Sequence, residues 1–130
     1  MPKYFTPDEA TRLLPLLREL VPEARERKRR VDELRNDLAL LAMKAAGDGR
    51  LAEEEMRAKR DALDEAVRAF DEALERIVSL GCEVKGIDQG LIDFLSLREG
   101  REVYLCWRLG EEQISYWHEV HSGFAGRQPL

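Results

Sequence analysis

Sixteen consecutive residues, Cys106 to His121, hold both tryptophans, both histidines and one of the two cysteines of this 130-residue chain. Three of them, His118, Glu119 and His121, are metal-ligand types, and Cys106 lies one predicted strand away. A metal would need these side chains on one face. In a strand, however, His118 and Glu119 point to opposite faces, and the helical zinc motif of two histidines four apart is not present. A nucleophilic cysteine would need a base beside it. The register derived below sets Cys106 opposite Ser115 and away from His118, which reads Cys106 as a small buried hydrophobe. Among the acids, Asp93 lies in a predicted strand, and Glu111 and Glu112 sit at a turn, where solvation is the default. No acid–base pair at productive spacing emerges, so no catalytic residue, bound metal or cofactor is expected.

The elements that position these residues are β-strands. After Gly81, "CEVKGI", "GLIDFLSL", "REVYLCWRL" and "QISYWHEV" are short segments rich in strand formers, separated by brief polar turns. They predict an antiparallel meander of four strands. With Gly110 and Glu111 as the turn of the last hairpin, Trp107 pairs with Ile114, Cys106 with Ser115, Leu105 with Tyr116, Tyr104 with Trp117 and Val103 with His118. One face then carries Val103, Leu105, Trp107, Ile114, Tyr116 and His118, and is nearly all apolar. The other carries Tyr104, Cys106, Arg108, Trp117 and Glu119. That amphipathic outer face, with Arg127 reaching it from the tail, is the expected site: aromatic rings beside a guanidinium and a carboxylate suit a planar polar ligand or a peptide. The tail itself, residues 122–130, is too glycine-rich for an element, and Phe124 would anchor it.

Ahead of the strands, residues 6–81 read as a helical hairpin. Thr6 caps, Pro7 fits the first helical position and Glu9 completes a capping box. Apolar residues then recur at three-four spacing from Ala10 to Ala45, interrupted at Arg27. Pro15 and Pro22 fall opposite that seam, where the carbonyls they free meet water, so a bent helix is expected, with a break at Pro22 as the alternative. Gly47, Asp48 and Gly49 punctuate, and a second helix runs from about Leu51 to Leu80. The apolar stripe is broad at the open end and narrow in the middle. The open end should therefore pack on a third layer and the middle should project. Toward the tip, Leu40 and Met43 lie off the seam with no partner in the opposing segment, which marks an interface between two copies.

Composition narrows the function. A net charge of −5 argues against bulk binding to nucleic acid or acidic membranes. The cluster "RERKRR", Arg25 to Arg30, winds around a helix and has acidic partners at ion-pair spacing, so it reads as a solvated face. No apolar run reaches the roughly 20 residues of a membrane span, and no signal pattern opens the chain. A cytoplasmic single domain over residues 1–130 with reduced thiols is expected.

"FTPDEATRLLPLLREL" and "GLIDFLSLREGREVYLCWRLGEEQISYWHEVHSGFAGRQPL" together resemble the uncharacterised prokaryotic family catalogued as domain of unknown function 2203, over essentially the whole chain. The resemblance implies a helical hairpin, a β-rich C-terminal part and a bacterial or archaeal cytosolic home. It implies no activity. The sequence reading is thus an α+β fold: a long antiparallel helical hairpin of coiled-coil character, packed on a four-stranded antiparallel meander. The expected function is a non-enzymatic interaction or scaffold module that forms a homodimer through its hairpin. The alternative is a small-ligand or metal-binding protein using the outer face of the C-terminal β-hairpin.

Overall fold

A computed structural model of the protein describes residues 3–44 and 49–130. The expected cap at Gly47 and turn at Asp48 lie outside the described residues. Helix α1 spans Pro7–Lys44 and α2 spans Gly49–Val78. The helix start is the reciprocal capping box: the Glu9 N–H donates to Thr6 Oγ1 at 3.1 Å, and the Thr6 N–H donates to Glu9 Oε1 at 2.9 Å. Helix α1 continues through both prolines without a break. Pro15, Pro22 and the residues whose carbonyls they free, Thr11 and Arg18, are all exposed, so the freed carbonyls stand on the solvent side of the helix.

On α1 the buried stripe is Ala10, Leu14, Leu17, Val21, Ala24, Val31 and Leu34. Its members up to Ala24 join Ala73 and Ile77 of α2 and the inner face of the sheet in one core. Val31 and Leu34 are buried but stand outside that cluster, on the stretch of α1 beyond it. The open end thus rests on a third layer and the rest of the hairpin projects, as the stripe widths imply. Arg27, the seam interruption, satisfies itself by donating to the Ala69 carbonyl of α2 at 2.7 Å and pairing with Glu23 at 2.6 Å. Others of the basic run pair within the helix, Lys28 with Asp32 and Arg29 with Glu26.

The sheet has five strands rather than four, in the order β1-β2-β3-β4-β5. They are β1 (Glu83–Gly86), β2 (Leu91–Arg98), β3 (Arg101–Arg108), β4 (Tyr116–Glu119) and β5 (Gln128–Pro129). Each neighbouring pair is antiparallel. The fifth strand comes from the tail, where none was expected. A 3-10 turn at Phe124–Gly126 bends the chain back so that Trp117 faces Gln128, and the Leu130 N–H then donates to the Ser115 carbonyl. The inner face, under the helices, carries Ile92, Phe94, Val103, Leu105, Trp107 and Trp117. Trp107 and Phe94 are fully buried there, and a side chain of that size contributes about 1.5–3 kcal/mol on burial.

The register of β4 corrects the sequence reading by one residue. Tyr104 faces His118, Leu105 faces Trp117 and Cys106 faces Tyr116. The connection is not a two-residue turn but a loop over residues 109–115 organised by Glu111. Its N–H donates to the Arg108 carbonyl, its carboxylate accepts the Arg108 N–H at 2.7 Å, and its carbonyl accepts the Trp107 indole N–H at 3.0 Å. Ile114 drops into the core from this loop. Side chains alternate along a strand, so a one-residue offset sends every β4 residue to the other face. Trp117 goes to the core and His118 comes out.

Candidate functional site

The outer face of the sheet is built by β2, β3 and β4. Asp93 pairs directly with Cys106 across β2 and β3, and His118 stands on β4 opposite Tyr104. The three chemically capable side chains therefore lie on adjacent strands, Asp93 and His118 reaching past Cys106 on a diagonal. A carboxylate oxygen, the thiol sulfur and a ring nitrogen all lie within 4.8 Å of one another. The residues are almost inaccessible: Asp93 and His118 are 2% exposed and Cys106 is 1% exposed.

The hydrogen bonds fix the imidazole. His118 Nδ1 lies 2.7 Å from the Glu119 carbonyl, which accepts only, so Nδ1 carries a proton. His118 Nε2 lies 2.8 Å from Asp93 Oδ2, with a proton between them. The other carboxylate oxygen, Asp93 Oδ1, is buried without a partner of ordinary hydrogen-bond geometry. The weakly donating Cys106 thiol also lies close to that carboxylate group. Burial pushes the Asp93 carboxyl above its ordinary range, and His118 opposes that shift. Cys106 is pushed up to about 12, first by burial and then by Asp93. Both ring nitrogens of His118 are already engaged, one by Asp93 and one by the Glu119 carbonyl, so neither is free to take the thiol proton as the base of a protease-type pair would.

A cavity of about 270 Å³ reaches the three side chains, its other walls including Lys85, Leu91, Val120 and Phe124. Lys85 leans over the Tyr104 ring at 4.4 Å, and the Tyr104 and His118 ring centroids are 5.5 Å apart. The Phe124 turn of the tail walls one side.

Of the residues singled out from the sequence, Tyr104, Arg108 and Arg127 do share the outer face. Tyr104 packs beside His118. Arg108 reaches over the Phe124 ring at 5.8 Å. Arg127 stacks on Tyr116 at 4.0 Å and grips both Glu111 carboxylate oxygens at 2.7 Å, which ties the tail down. Trp117 is not there. It is 7% exposed in the inner core, with the Arg98 guanidinium 4.6 Å from its ring centre. Glu119 lies on the inner side at the rim, paired with Arg101. Sequence reasoning placed Cys106 on this face but separated it from His118, and it set Asp93 aside. A polar residue amid the apolar "GLIDFLSL" was the available signal. At the other end of the molecule, Leu40 and Met43 are exposed, at 51% and 77%.

These features define an α+β protein in which a helical hairpin covers one face of a five-stranded meander and the other face holds a buried Asp–Cys–His cluster. The chain belongs to the family described as an uncharacterised conserved protein, domain of unknown function 2203, which it matches over residues 3–130. No curated protein and no solved structure matches it. No helix among the described residues is long and apolar enough to cross a membrane.

Proposed function

We propose that this protein is a small-ligand-binding module whose site is the cavity on the outer face of the sheet. The observation that carries this reading is the Asp93–His118 pair, with side chains 2% and 3% exposed, beside a cavity. Desolvating two such groups costs several kcal/mol each, and well-packed hydrophobic residues would hold a purely structural face as well or better. An ionisable pair kept at that cost beside an accessible cavity has the character of a binding site. The test is native mass spectrometry of protein purified without chelators. Wild type is expected to retain a bound mass that Asp93→Asn and His118→Gln variants lose. Identical bare masses for all three would overturn the reading.

A second reading concerns the hairpin. Its Leu40 and Met43 are exposed, and Leu40 sits among charges of both signs, Asp37, Lys44, Glu55 and Lys59. A face with an apolar centre and mixed charges is complementary to itself across a two-fold axis. A second copy of this chain is the occupant that fits it, which would make the module a homodimer.

A further inference from the structure

We propose that Asp93, Cys106 and His118 bind one divalent transition-metal ion of the zinc type, with the remaining coordination position turned toward the cavity. This rests on the ligand-binding reading above and names the ligand.

Four independent features converge on it. The donor set comes first. A thiol, an imidazole and a carboxylate select zinc, cobalt or copper, and disfavour magnesium and calcium, which prefer oxygen donors throughout. Spacing is the second. Zinc–nitrogen and zinc–sulfur bonds of roughly 2.0 and 2.3 Å place tetrahedral ligand atoms about 3.5 Å apart. The three donors here already lie within 4.8 Å of one another, so side-chain rotations of modest size complete the geometry. The third feature is orientation. His118 donates its Nδ1–H to the Glu119 carbonyl, which leaves Nε2 as the ligating nitrogen and holds the ring in place, the support that metal-bound histidines almost always have. The fourth is the Asp93 carboxylate, whose Oδ1 has no partner of ordinary geometry although the residue is 2% exposed. A cation supplies what that oxygen lacks.

Charge selects the oxidation state. A thiolate, a carboxylate and a neutral imidazole sum to −2, so a dipositive ion makes the three-ligand centre neutral, which the burial of these side chains favours. Loading then releases two protons, one from the Cys106 thiol and one from between Asp93 and His118. No electrons move. Three protein ligands with one open position describe a site that accepts water or a further small ligand from the cavity.

Cobalt(II) added to chelator-stripped protein is the probe. One equivalent is expected to produce a sulfur-to-cobalt charge-transfer band in the near ultraviolet. The chain has two cysteines, so the band must survive in Cys82→Ala and vanish in Cys106→Ser. It should also survive in His121→Ala, which removes the exposed neighbouring histidine. Competition with a chromophoric chelator should show Asp93→Asn and His118→Gln weakening zinc by more than the roughly 10- to 100-fold that loss of an outer-shell partner costs. Persistence of the band in Cys106→Ser, or its absence from both wild type and Cys82→Ala, overturns the assignment. If native spectra show an organic mass while cobalt gives no band, the metal falls and the ligand-binding reading stands. If neither a bound mass nor a band appears, both fall.

Discussion

Asp93 is the residue on which the outer face depends, because it is the only acid within hydrogen-bond reach of His118 Nε2 among the described residues. Removing one partner of a buried pair usually costs more than the pair itself contributes, roughly 3–5 kcal/mol. An imidazole, unlike a guanidinium, has a neutral form that needs no counter-charge, which softens the loss. Asp93→Ala is therefore expected to lower stability by about 3 kcal/mol, the low end of that range. Asp93→Asn, which keeps a hydrogen bond to the ring, should cost distinctly less. Urea unfolding midpoints compare the two. Equal stability of Asp93→Ala and wild type would mean that the pair contributes nothing to the fold.

At the scale of elements, the loop over residues 109–115 decides which β4 side chains face the helices, and Glu111 organises that loop. Its carboxylate serves the Arg108 N–H and the Arg127 guanidinium at once. Glu111→Ala should cost about 1 kcal/mol, the low end of the range for leaving polar partners unsatisfied, because Arg127 is part-buried and the Arg108 N–H is exposed. It should also loosen the tail, so that limited proteolysis cuts near Phe124 before it cuts the helices. A tail as resistant as that of wild type would show that Arg127 is held by its aromatic stack alone.

This loop also marks where the sequence stops being legible. The helices could be read because capping and three-four spacing are local signals. Thr6 and Glu9 cap as their spacing implies, and Ala10 to Ala24 line the core. Strand β3 could be read for the same reason, its alternation burying Val103, Leu105 and Trp107. The register of β4 could not. A two-residue turn at Gly110–Glu111 is the simplest reading of the chain, whereas the observed loop is held by a side-chain carboxylate and an indole N–H that standard turn chemistry does not anticipate. The error exchanged Trp117 for His118 and hid the cluster with Asp93 and Cys106. Strand β5 was hidden because two residues after a glycine-rich stretch, one of them a proline, carry no strand signal of their own.

For the whole molecule, the hairpin end and the sheet end are expected to act separately. If two copies meet through Leu40 and Met43, Leu40→Glu with Met43→Glu yields a folded monomer, and light scattering at roughly tens of micromolar, where modest protein affinities saturate, reports the change in mass. The substitutions lie in the projecting half, so the cobalt band should survive them. Wild-type protein that is already monomeric at that concentration removes the dimer.

The N-terminal segment has a consequence for how the chain is made. The Phe5 N–H donates to the Leu95 carbonyl, and the Phe5 carbonyl accepts from Ser96, 91 positions later. At synthesis rates of roughly 5–20 residues per second, about 5–20 s pass between the addition of Phe5 and that of Ser96. During that interval both helices have been translated while the sheet that buries their open end is incomplete. Leu14, Leu17 and Val21, fully covered in the finished protein, wait unprotected beside the ribosome. A nascent chain stalled just short of β2 is therefore the state in which this protein most needs a chaperone.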